Sequence, residues 1–139
     1  MIKENKMNWC SIRNKITYSE VKDIEKQINV AFPEDYCKLI GNINGAALKK
    51  GYIMHPILGK ISYSRNTNLN SEVRGNALQL FEVLDDSSKK YFPIASVGNG
   101  DYYCIDLKNK RIVLYQHETG EVTLVCDTFT ELLSMICEE

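Results

Sequence analysis

Near the start of the chain, apolar positions recur every three or four residues; towards its end they form short runs separated by turns. In the first region Val21, Ile24 and Ile28 mark one face of a helix running to about Asn29. Thr17 and Glu20 have the spacing of a capping box, and Ile16 and Val21 that of a hydrophobic staple. Phe32-Pro33 interrupts the pattern, and Pro33 suits the first turn of a second helix. Tyr36, Leu39, Ile40 and Ile43 form the buried stripe of that helix, and Asn44-Gly45 stops it.

Residues 46–77 carry weaker signals. "GYIMHPILGKISY" accommodates one or two short strands, and "SRNTNLNSEVRGN" reads as a polar loop with room for a helical turn. "ALQLFEVL" predicts a strand over 77–84, and Asp85 to Lys90 a charged turn. "YFPIAS" (91–96) follows as a short strand whose proline places it at an edge or a strand start. "YYCIDL" (102–107), "RIVLYQ" (111–116) and "EVTLVC" (121–126) are three further strands joined by connections of hairpin length. Thr128 and Glu131 repeat the capping-box spacing before a last helix that buries Phe129, Leu132, Leu133 and Ile136. Helices, an antiparallel or mixed β-sheet meander and a C-terminal helix make an α+β fold. Residues 1–15 read as a polar N-terminal arm, and 16–139 as one domain.

The length of 139 residues suffices for a sizeable core without staples, and a net charge of −1 gives no overall field to recruit nucleic acid or an anionic membrane. The distribution of charge is uneven. Lys3, Lys6, Arg13 and Lys15 against Glu4 make residues 1–15 net +3. Glu118, Glu121, Asp127, Glu131, Glu138 and Glu139, with no Lys or Arg, make 117–139 net −6. The C-terminal third is thus a candidate acidic face. The five cysteines are odd in number, lack CxxC spacing and follow no apolar leader, so they read as small buried hydrophobes in a reducing cytoplasm. No apolar run reaches membrane-spanning length.

Candidate chemistry is sparse. "SVGNGDYYCIDL" (96–107) has two glycines of a GxGxxG fingerprint, but the third position is Tyr103 and a strand rather than a helix follows. Phosphate binding at a helix start therefore fails there; Gly98 and Gly100 are expected to shape a turn that aims Asp101. His55 and His117 lie far apart without paired cysteines, so no metal or cofactor is expected. A cysteine hydrolase built from Cys104, His117 and Asp106 is conceivable, since alternation puts Cys104 and Asp106 on one strand face and leaves Cys104 free to be exposed. A lone Cys and His are weak support for it. Tyr102, Tyr103 and Tyr115 are not interleaved with Lys or Arg as a nucleic-acid groove requires, so no direct nucleic-acid binding is expected.

The order of "VKDIEKQINVAFPEDYCKLI", Asn44-Gly45, "YFPIASVGNGDYYCIDL", "VLYQHETGE" and "TFTELLSMI" resembles the SUKH superfamily, in its Smi–Knr-like branch, over about Ile16 to Ile136. Ala46 departs from the second glycine common after Asn-Gly, and 46–77 match loosely. The resemblance implies an α+β fold without catalytic activity. It further implies a cytoplasmic immunity protein that binds a cognate toxin domain, often a nuclease, or alternatively a regulatory interaction module; a homodimer stays open. A nuclease site is basic, so the acids expected at such an interface are Asp101, Asp106, Glu118 and Glu121. Tyr102, Tyr103 and Tyr115 are the candidate aromatic anchors, with His117 beside them and Gly98 and Gly100 shaping the loop.

Overall fold

A computed structural model describes residues 7–12, 14–84 and 89–139. The elements are α1 (Tyr18–Ile28), α2 (Glu34–Leu39), a 3-10 turn (Ile40–Ile43), β1 (Ala47–His55), β2 (Gly59–Asn66), α3 (Ala77–Leu84), β3 (Tyr91–Ser96), β4 (Tyr102–Asp106), β5 (Ile112–Tyr115), β6 (Val122–Cys126), α4 (Phe129–Met135) and β7 (Cys137–Glu138). One antiparallel sheet of seven strands runs in the order β6-β5-β4-β3-β2-β1-β7, so the fold is α+β with a C-terminal helix.

The helix starts are those the side chains dictate. Thr17 Oγ1 accepts from the Glu20 N–H, and Glu20 Oε1 accepts from the Thr17 N–H, which completes the box that starts α1. At α4, Thr128 Oγ1 accepts from the Glu131 N–H. Asp35 of α2 accepts from both the N–H and the hydroxyl of Thr130, at 2.8 Å each, and so fixes α4 against α2. The second helix is shorter than its stripe suggests. It tightens to 3-10 after Leu39, and Leu39 itself is exposed.

The principal core gathers residues from all four α-helices onto one sheet face. Phe92 opposes Ile105, Ile105 opposes Ile112, and Tyr103 opposes Leu114, which lines up that face across β3, β4 and β5. Phe32, Tyr36, Phe81, Phe92 and Phe129 form a chain of ring contacts inside it, with centroids 4.7–5.3 Å apart. The N-terminal stretch takes part as well. Cys10 pairs with Ala47 beside β1, and the Trp9 ring meets Tyr63 edge-on. Of the basic residues noted there, Lys3, Lys6 and Arg13 lie outside the described residues.

Three expectations need correction. Residues 77–84 are helix α3, not a strand. Asn76 Oδ1 accepts from the Gln79 N–H and Gln79 Oε1 from the Gly75 N–H, so a cap encodes this helix, and Ala77 and Phe81 are its buried i, i+4 pair. The alternation of Leu78, Gln79 and Leu80 imitates a strand in sequence. Secondly, β3 is an interior strand although it contains Pro93. The ladder between β3 and β4 shifts register between Pro93 and Ala95, and β2 pairs with β3 only at Ala95 and Ser96, so the missing N–H falls where little pairing is required. Finally, residues 46–66 hold one long hairpin, β1–β2, rather than short strands. Of the charged turn 85–90, residues 85–88 lie outside the described residues.

Candidate functional site

The loop before β4 is closed by its own backbone and by one histidine. The Val97 N–H donates to the Asp101 carbonyl, and the Asp101 N–H to Asn99 Oδ1, each at 3.0 Å. Gly98 and Gly100 take φ of +109° and +100°, conformations that side chains with a Cβ rarely adopt. Asp101 Oδ1 then accepts from both the N–H (3.0 Å) and Nδ1–H (2.6 Å) of His117 in the β5–β6 turn. The imidazole lies so close over Gly100 that a Cβ there would come within 2.8 Å of Cε1. The glycines thus make room for a ring that ties two turns together.

On the sheet face away from the principal core, cross-strand pairing builds two rows. Tyr102, Tyr115 and Val122 form one; Cys104, Val113 and Leu124 form the other. Tyr102 is half-buried, and burial, followed by the neighbouring Cys104, raises its phenol above the usual range. Tyr115 is buried against Cys104 and Val113 and meets the Tyr91 ring at 6.0 Å. Glu118 and Glu121 are exposed and form no ion pair among the described residues, whereas Arg111 pairs with Asp127 at 3.4 Å and Lys60 pairs with Glu139.

The candidate residues therefore separate. Asp101, His117, Tyr102, Glu118 and Glu121 share one end of the β4–β6 meander. Tyr103 does not belong with them: it is fully buried on the opposite face, its hydroxyl donates to the Ser62 carbonyl at 2.9 Å, and it cannot anchor a partner. Tyr115 is too covered to serve as a free anchor. Asp106 lies at the far end of β4, roughly 16 Å of strand from Asp101, where it accepts from the Lys108 N–H and stabilises the β4–β5 turn. Cys104 is fully buried rather than exposed, so the imagined Cys104–His117–Asp106 arrangement is not assembled.

The thiols as a set are not uniformly buried either. Cys37, Cys104 and Cys126 are, but Cys10 is half-buried and Cys137 exposed. Burial, aided by Glu25, pushes the Cys37 thiol up to about 12, and burial, aided by Glu131, does the same for Cys126. An alkylating reagent at neutral pH is expected to modify Cys137 first, and Cys37, Cys104 and Cys126 only on unfolding. Peptide mass mapping over time checks the order; early labelling of Cys37 or Cys126 contradicts it.

One part of the surface is absent from the sequence-based candidates. The β1–β2 hairpin tip curls against β6: His55 Nε2 meets the Leu124 carbonyl at 2.9 Å, and Nδ1 accepts from the N–H groups of Ile57 and Leu58. These partners require the proton on Nε2. Exposed apolar residues lie on both elements joined by this contact, Ile57 (83% exposed), Met54 (59%) and Leu58 on the hairpin and Leu124 (46%) and Val122 on β6, and together they are the apolar lip of this surface. Its signal in the sequence is "MHPILG", where a turn inside an apolar run must leave some of that run outside.

Among the described residues no three His, Cys, Asp or Glu side chains converge as metal ligands, and no helix is long and apolar enough to cross a membrane. A search of curated proteins returns no match. The family SUKH_6, described as SMI1-KNR4 cell-wall, matches residues 18–133, from the first residue of α1 into α4. That span contains both tied turns, the interior proline strand and the hairpin lip, and it makes up most of the chain. The chain belongs to the SMI1-KNR4 (SUKH) family.

Proposed function

We propose that this protein is a cytoplasmic immunity protein, which binds a cognate toxin domain and blocks it by occupying its surface. The observation that carries this reading is the end of the meander where the exposed Glu118 and Glu121, without ion-pair partners among the described residues, lead into β6 with its exposed Val122 and Leu124. A nuclease domain presents a basic site to phosphates, so the acids match it in charge, and the apolar residues beside them supply contact area. Steering comes from the acids and residence time from the apolar lip. Family members are generally non-catalytic, in keeping with action by binding.

Co-expression of this chain with toxin domains encoded beside its gene tests the proposal. Survival restored by the chain supports it; no rescue and no binding to any neighbouring toxin overturns it. The charge argument has its own test. Asp101 is tied to His117, so its replacement would disturb the loop, and the informative change is Glu118→Lys with Glu121→Lys. The double variant is expected to associate with the rescued toxin domain about tenfold more slowly at low salt, and with little difference at high salt. An unchanged on-rate removes the acidic face while leaving immunity standing.

The cell-wall description of the matched family favours a second reading, a regulatory interaction module without a toxin partner. Gene neighbourhood separates the two, because an immunity gene adjoins the gene of a large secreted toxin.

A further inference from the structure

A cleft lies on the other side of Tyr102 from the acidic turn. Cross-strand pairing continues the outer row beyond β4, with Tyr102 opposite Ser96 and Ser96 opposite Arg65. Together with Gly45, Asn68 and Arg74, these residues line a cleft of about 320 Å³.

The polar groups of this cleft divide sharply by type. Its buried acceptors and hydroxyls are already engaged. Asn66 Oδ1 accepts from the Tyr63 hydroxyl and Asn66 Nδ2 donates to the Ile43 carbonyl. Thr67 Oγ1 donates to the Pro93 carbonyl, and Asn68 Oδ1 accepts from Asn44 Nδ2 and the Asn70 N–H. What is left is chiefly donor, beside the Ser96 and Tyr102 hydroxyls, which can donate or accept. Asn68 Nδ2 faces Gly45, where a Cβ would come within 2.8 Å of it. Arg65 uses one guanidinium nitrogen on the Gly45 carbonyl at 2.9 Å, and its remaining N–H groups are available. Neither Arg65 nor Arg74 meets a carboxylate among the described residues, in contrast to Arg111 with Asp127. No Asp or Glu lines the cleft among those residues.

Two guanidinium forks and an amide donor, without a competing anion, select a ligand that is negatively charged and accepts several hydrogen bonds. The half-buried Tyr102 ring adds a flat apolar surface at the same place. We infer that this cleft binds a small phosphate- or carboxylate-bearing molecule. The inference goes beyond the immunity reading and does not need a toxin partner, so either can fail alone.

The test uses the purified full chain and three probes: inorganic phosphate, citrate and adenosine monophosphate, with chloride at matched ionic strength as reference. Amide chemical shifts are followed by NMR. Binding of phosphate or citrate in the millimolar range or tighter, with shifts centred on Gly45, Arg65, Asn68, Arg74 and Ser96, supports the inference. Arg65→Gln is then expected to weaken binding tenfold or more, and Arg65→Lys to recover only part of the loss. Lys49→Gln, on β1 and outside the cleft, should change nothing. Phosphate against citrate identifies which oxyanion the cleft prefers. Adenosine monophosphate binding more tightly than phosphate, with the gain lost in Tyr102→Ala, assigns the ring to the ligand's base; equal binding keeps the anion site and removes Tyr102 from it. No shift with any probe, or shifts spread equally over surface lysines and insensitive to Arg65→Gln, overturns the proposal.

Discussion

Replacing Phe92 by alanine is expected to cost about 3–5 kcal/mol of stability and to lower the melting temperature by roughly 10–20 °C. Phe92 is fully buried and touches aromatic rings from two separate segments, Phe32 at 4.7 Å and Phe81 at 5.2 Å. Removing it opens a void between the segment leading into α2, helix α3 and the sheet, and no single element can move to fill it. The backbone around Phe92 cannot easily adjust either, because the next residue is Pro93, beside a register shift in the ladder. Phe92→Leu, which keeps most of the volume, should cost no more than about 1.5 kcal/mol. Thermal or urea unfolding of the two variants checks both figures. Similar losses for Ala and Leu would mean that the ring's shape, and not the filled volume, carries the stability.

The second large effect is expected at Asn44. Its side chain is fully buried and makes three hydrogen bonds: Nδ2 donates to the Asn14 carbonyl (2.7 Å) and to Asn68 Oδ1 (3.0 Å), and Oδ1 accepts from the Leu69 N–H (2.8 Å). One amide thus joins the stretch before α1, the end of the 3-10 turn and the loop after β2. Asn44→Ala leaves these groups without their partner and is expected to cost about 2–4 kcal/mol. Asn44→Asp keeps an acceptor for Leu69 but turns oxygen towards two oxygens, so it should be at least as damaging. The measurement is stability together with hydrogen exchange at the Leu69 amide, which should lose protection first. An unchanged melting temperature in Asn44→Ala would remove this hub from the account of the fold.

The sequence signals that succeed are local ones. The cap of α1, the cap of α4 and the three hairpin-linked strands β4–β6 are written within a few residues of where they act. Helix α3 is missed because Leu78 and Leu80 alternate as a strand does, while its decisive signal is the cap at Asn76. Pro93 points to an edge because proline lacks a ladder donor. Only the tertiary course of β2, which begins pairing two residues later, makes the interior position acceptable.

The site shows the same division. Asp101 and His117 are separated by 16 residues, and their contact follows from the register of β4 with β5, which composition does not reveal. Tyr102 and Tyr103 are adjacent in sequence, yet one stays half-exposed and the other is fully buried, since strand neighbours point to opposite faces. The lip of Met54, Ile57 and Leu124 is hidden for the opposite reason, because the same residue types usually report a core.

The contact between His55 and the Leu124 carbonyl has a consequence for how molecules of this protein meet one another. β6 is the last strand on its side of the sheet, and a terminal strand with bare peptide groups invites a strand from a second molecule to add on. Here one of those groups already holds an imidazole, and the hairpin tip stands across the path. At the opposite border β7 is two residues long and pairs only with Gly51 and Tyr52 of β1, so β7 itself gives little length for an added strand. Addition of a strand from a second molecule is therefore hindered at the β6 border by the chain itself.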